Sequence, residues 1–113
     1  MAAMSTVLTE FADSGNSRTY TQAAHTVEKP LLVLQKRKVP SGASVVAEDT
    51  ITVLSATEDS DGAILAPRVT FAAIIRRPIT GDAADVTSML AVFRDIVAGD
   101  EFANSVSTQE WLV

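Results

Sequence analysis

The chain has no cysteine, and that absence removes disulfide scaffolds, thiolate metal sites and cysteine nucleophiles together. His25 is the only histidine, so a transition-metal centre built within one chain is not expected. Aromatic residues make up only 5% of the 113 positions, so any core must come from Val, Leu, Ile and Ala. No apolar run approaches the roughly 20 residues that a membrane-spanning helix needs. The first residues, Met1 to Thr6, lack the basic and apolar regions of a secretory leader. These features imply a soluble protein that remains in the compartment where it is made.

What is present is a chain of one-domain length with 47% apolar residues, a composition that excludes a disordered chain. Net charge is −5, which argues against nucleic-acid binding when taken as a sum. The distribution says more. Lys29, Lys36, Arg37, Lys38, Arg68, Arg76 and Arg77 lie in or beside β-type segments. The acids gather in turns and in the C-terminal third, among them Asp59, Asp61, Asp82, Asp85, Asp95 and Glu101. A solvated mixed surface is the plainer reading of this split, and one basic face on an otherwise acidic molecule is the other.

The order of elements is the strongest signal. Ser5 to Phe11 alternates around Val7, Asp13 to Ser17 is a dense turn signal, and Arg18 to Gln22 returns in β-type residues, which predicts a hairpin over about 5–22. Residues 23–28 fit either a short strand or a connection. Strands follow at Pro30–Val39, Ser44–Ser55 and Ile64–Arg77, separated by turns at Pro40–Gly42 and Glu58–Gly62. Pro67 near the start of the last strand marks a bulge, an edge or a late start, and Pro78 ends it. Short turns between successive strands favour an antiparallel meander. Val86, Met89, Leu90, Phe93, Ile96 and Val97 then recur at helical spacing over about 82–98, with Asp82 or Thr80 as cap and Gly99 beyond the end. Glu101 to Ser107 predicts a second short helix.

Enzymatic constellations are missing. Asp59-Ser60-Asp61-Gly62 has the opening of a calcium loop without its later ligands, and a hairpin turn explains it better. There is no Gly-rich phosphate loop and no nucleophile elbow. The remaining cluster is Lys36, Lys38, Thr50, Thr52, Arg68, Thr70 and Arg76. Cations neutralise phosphates, and hydroxyls on a sheet donate to phosphate, sugar or base. Alternation puts Lys36 with Lys38, Thr50 with Thr52, and Arg68 with Thr70 and Arg76 on shared strand faces.

These elements, the Glu28-Lys29-Pro30 strand entry, the strand pair Asp49–Leu54 and Arg68–Ile75, and the helix after Pro78 resemble a coat protein of single-stranded RNA bacteriophages, the levivirus type. The likeness covers nearly the whole chain and lies in the order and length of elements. It implies an α+β fold: an N-terminal hairpin, a five-stranded antiparallel sheet and C-terminal helices over about 82–108, in one domain spanning 1–113. It further implies an intertwined homodimer with a continuous sheet, in which Val86, Met89, Leu90, Phe93, Ile96 and Val97 bury against both protomers. Such dimers would build an icosahedral virion in the bacterial cytoplasm, without cofactor, membrane or enzymatic activity. Genomic RNA, including an operator hairpin whose binding represses translation, would lie on Lys36, Lys38, Thr50, Thr52, Arg68, Thr70 and Arg76. Two other classes stay open: a small dimeric ligand-binding domain or enzyme with a pocket between sheet and helix, and an adaptor whose sheet edge pairs with peptides.

Overall fold

The computed structural model describes residues 3–40 and 45–113. The turn expected at Pro40–Gly42 lies, from Ser41 onward, outside the described residues. The chain divides into a sheet unit ending at Ile79 and a helical unit, Thr80–Val113.

In the sheet unit, β1 (Leu8–Asp13), β2 (Ser17–Gln22), β3 (Leu31–Lys38), β4 (Val46–Ser55) and β5 (Val69–Pro78) form one antiparallel sheet in the order β1-β2-β3-β4-β5. The expected N-terminal hairpin is therefore the first two of the five strands, because β2 continues its pairing onto β3. The hairpin turn is fixed by Gly15 at φ 69°, a conformation costly for other residues, and by Asp13 Oδ1, which accepts the Gly15 N–H at 3.1 Å. Phe11 is an extra residue between the Glu10–Tyr20 and Ala12–Thr19 pairs, so the outer strand β1 carries a bulge.

Residues 23–29 form a connection and not a strand. Its hydrogen bonds are local: His25 Nδ1 accepts the Leu31 N–H at 3.1 Å, and Thr26 Oγ1 accepts the Lys29 N–H at 2.9 Å. The only histidine thus satisfies a backbone donor at the entry of β3.

Asp59 Oδ1 accepts the N–H groups of Asp61 and Ala63, each at 2.9 Å, which closes the turn that ends at Gly62 (φ 85°). That carboxylate has a structural use, which supports the turn reading over a calcium loop. The last strand starts at Val69 and not at Ile64. Pro67 has no N–H to give a ladder, and Ile64 makes only an isolated bridge to Glu58.

In the helical unit, α1 (Ala83–Ala98) is capped by Asp82, whose Oδ1 accepts the Ala84 N–H at 3.2 Å. Asp85 in its first turn suits the positive end of the helix dipole. Gly99 ends α1 in an extended conformation (φ −80°, ψ 156°) and not a left-handed one, because it is also the N-cap of α2 (Asp100–Thr108) and must start the next helix at once.

Neither unit has an interior of its own. Among the described residues only Ala47 and Ala56 are buried, both in the sheet unit. No residue of α1 or α2 is buried, and Phe93 is 51% exposed. An apolar helix stripe and a sheet rich in Val, Leu and Ile left in this state leave much of the hydrophobic driving force for folding unused.

Candidate nucleic-acid interface

Opposed residues of an antiparallel pair point to the same side of the sheet. The registers therefore assemble the sequence-predicted residues into rows. Ser17, Lys36, Thr50 and Ile74 form one row across β2 to β5. Lys38, Glu48 and Arg76 form the next, at one end of the sheet. Towards the other end lie Thr19, Leu34, Thr52 and Ala72, then Thr21, Leu32, Leu54 and Thr70. All four rows share one face, which we call the hydroxyl face.

Six of the seven predicted residues stand in these rows. Arg68 stands one residue before β5, and its Nη1 donates to the Leu65 carbonyl at 2.7 Å. Ser17, Thr19 and Thr21 join the face without having been singled out. Their signal was the alternation Ser-Arg-Thr-Tyr-Thr, which reads as hydroxyl-bearing on one side once β2 is known to pair with β3.

The two ends of the hydroxyl face differ. Lys36 and Lys38 are exposed, and among the described residues neither makes an ion pair. With Arg37, Glu48 and Thr50 they line a shallow cleft of about 260 Å³. Arg76 is engaged, its Nε 3.1 Å from Glu48 Oε2. A surface pair of this kind contributes at most about 1 kcal/mol to stability, yet it occupies a cation that a phosphate would otherwise meet. Glu48→Gln is therefore expected to leave thermal stability nearly unchanged. It should steepen the slope of log affinity against log salt for single-stranded RNA by about 0.7, the value for one added phosphate contact. Binding titrations at several salt concentrations check this, and an unchanged slope would mean that Arg76 does not reach RNA.

The opposite face has another chemistry. Its centre is apolar, with Val33, Ile51, Val53, Phe71 and Ile75 in register. Its polar end lies beside the hairpin turn, where Gly15, Asn16, Arg18, Tyr20, Gln35 and Arg37 line a cleft of about 120 Å³. These side chains are bonded to one another: Tyr20 Oη donates to Gln35 Oε1 at 3.2 Å, and Arg37 Nε donates to Asn16 Oδ1 at 3.1 Å. Tyr20, then Asp13 and Glu10, hold the Arg18 guanidinium above its ordinary pKa, so it stays charged. No group of three or more potential metal ligands occurs among the described residues, and no helix is long and apolar enough to cross a membrane.

The two edges of the sheet also differ. β1 is short, bulged at Phe11 and carries the acidic residues Glu10 and Asp13, features that discourage further pairing. β5 is ten residues long and regular, and Ile74 is 63% exposed. Such an edge is a template for another strand.

Solved structures give the fold its relatives. The chain superposes on a chain of the virus-like particle of Wenzhou levi-like virus 4 with a TM-score of 0.81 and 13% identity, covering 96% of this chain and 79% of that one. A chain of the virus-like particle of Beihai levi-like virus 32 gives a TM-score of 0.78 at 11% identity, covering 96% and 90%. One from the virus-like particle of bacteriophage AVE019 gives 0.66 at 12% identity, covering 89% and 83%. The chain has the levi-like coat-protein fold. No protein-family profile and no curated protein sequence matches it. At such identities the likeness is one of fold alone.

Proposed function

We propose that this chain is the coat protein of a single-stranded RNA phage: a non-enzymatic subunit that pairs with a second copy and assembles into an icosahedral shell in the bacterial cytoplasm. The observation that carries the proposal is the likeness, over 96% of the chain, to subunits of virus-like particles. Two further features agree with it. The sheet and helical units each lack an interior, which suits a protomer completed by a partner. The open β5 edge offers a second copy a place to extend the sheet, and the apolar stripe of Val86, Met89, Leu90, Phe93, Ile96 and Val97 offers it a surface to bury.

The hydroxyl face is the RNA face in this proposal. Lys36, Lys38 and Arg76 supply charge for phosphates, while Thr50, Thr52 and Thr70 supply hydroxyls for sugar or base. Ser17, Thr19 and Thr21 enlarge the same surface, and Arg68 borders it. The resemblance to phage coat proteins makes an operator hairpin in the genome its expected specific ligand, with repression of translation as the outcome. Val33, Ile51 and Phe71, on the opposite face, take the partner's helices.

Size-exclusion chromatography of the protein expressed in bacteria, with the ultraviolet absorbance ratio and negative-stain microscopy of the leading peak, tests this directly. Uniform round particles containing nucleic acid are expected. A nucleic-acid-free dimer that persists across protein and salt concentrations would contradict it.

A further inference from the structure

The lysine end of the hydroxyl face holds an acid for which a surface made only for phosphates has no use. Glu48 stands between Lys38 on β3 and Arg76 on β5, and with Lys36, Lys38 and Thr50 it lines the cleft of about 260 Å³. Its side chain is 31% exposed, against 67% for that of Arg76. Arg76 Nε donates to Glu48 Oε2 at 3.1 Å, which holds the carboxylate from the β5 side. Glu48 Oε1 makes no hydrogen bond among the described residues.

The parts of a nucleotide meet this arrangement differently. A phosphate is drawn to Lys36, Lys38 and Arg76 and repelled by Glu48, so the acid weakens that contact. A ribose hydroxyl can donate to a carboxylate, but every ribonucleotide carries one, so it brings no selection. The Watson–Crick edge of an unpaired base differs from base to base. Guanine presents its N1–H between the O6 acceptor and the N2 amine. A carboxylate accepts from both donors at once, and an ammonium beside it donates to O6. Cytosine and adenine offer a carboxylate one amine next to a ring-nitrogen acceptor, and uracil offers one N–H between two carbonyls. With these three bases the second carboxylate oxygen faces an acceptor and gains nothing.

We propose that this cleft takes an unpaired guanine, with Glu48 accepting from its N1–H and N2 amine and Lys38 donating to its O6. The proposal rests on the RNA reading of the hydroxyl face and adds to it a choice of base. Lys38 and Glu48 are opposed in the β3–β4 register, and such pairs have Cβ atoms about 5 Å apart, within reach of one base edge. The Arg76 contact uses one lone pair of Oε2 and leaves the other, together with Oε1, for the base. Lys36 and Thr50, in the adjacent row, take the phosphate or sugar of the same nucleotide. Stability alone gives the acid little purpose, because an ion pair this exposed adds little to it.

Uridine octamers with guanosine, inosine, adenosine, cytidine or uridine at one central position test the proposal. The full-length protein is freed of nucleic acid in high salt, returned to low salt and kept too dilute to form particles, as light scattering verifies. Fluorescence anisotropy then gives the affinity for each oligomer. The guanosine oligomer is expected to bind at least about tenfold tighter than the all-uridine one. Inosine keeps N1–H and O6 but lacks the N2 amine, and it should bind at least about threefold more weakly than guanosine. Glu48→Gln replaces one carboxylate oxygen by an amide donor and should bring the guanosine preference below about threefold. The all-uridine oligomer should bind that variant more tightly than wild type, because Arg76 is released to phosphate.

Equal affinities across the wild-type series would overturn the base selection while keeping the RNA face. So would a tighter fit for cytidine or adenosine, or a guanosine preference that Glu48→Gln leaves intact. Guanosine and inosine bound alike would overturn it too, since the N2 amine would then go unread. Failure to bind any oligomer at low salt would overturn the RNA face, and the proposal with it.

Discussion

Phe93→Asp is expected to abolish dimer and particle together. Phe93 sits in the middle of the apolar stripe of α1 and is half exposed in the single chain, so its burial is left to the partner. Losing the burial of a phenyl ring costs roughly 3 kcal/mol, and an unpaired carboxylate in the same apolar contact costs more. A two-fold interface counts the change twice. A loss of about 6 kcal/mol per dimer lowers the association constant by more than ~10⁴-fold, enough to prevent assembly at ordinary concentrations. Asp95→Asn, a polar position of α1 outside the stripe, should assemble normally. Sedimentation velocity of both variants decides the matter, and intact particles from Phe93→Asp would remove α1 from the interface.

The second large effect concerns RNA. Lys36→Glu with Lys38→Glu changes the free basic end of the hydroxyl face by four charge units per chain. Both side chains are exposed and unpaired among the described residues, so folding should be little affected. Each lysine that meets a phosphate contributes about 0.7 to the salt slope. Affinity for single-stranded RNA near 0.1 M salt is expected to fall by at least about 100-fold, with a shallower salt dependence, and any particles should lose most of their nucleic-acid absorbance. Arg18→Glu supplies the control, because Arg18 opposes Gln35 on the other face and lines the cleft beside the hairpin turn. Filter binding with these proteins separates the faces. Loss of RNA in Arg18→Glu and retention in the double variant would reverse the assignment.

Much of this architecture is legible in the sequence, for identifiable reasons. The α1 stripe follows from 3.6-residue spacing, and the hairpin from the Asp13–Ser17 turn. The shared face of Lys36 and Lys38 follows from strand alternation. The residues that escaped depend on pairing and not on local pattern. The Glu48–Arg76 contact spans 28 positions and exists only because Glu48 and Arg76 are opposed in the β4–β5 register. The start of β5 was read five residues early, since apolar Ile64 and Leu65 look strand-like while Pro67 denies the ladder a donor. Residues 23–28 fit either a strand or a connection by sequence because their order comes from side-chain acceptors, His25 and Thr26, and not from periodicity. The hydroxyls of β2 needed the knowledge that the hairpin continues into the main sheet.

An electron cryomicroscopy reconstruction of the assembled protein tests the central claim most directly. The account predicts a closed shell whose inner surface is the face carrying Lys36, Thr50 and Thr52, in contact with RNA density, with β5 strands paired across the dimer axis. A shell lined by Val33, Ile51 and Phe71, or a protein that forms no shell, would contradict it.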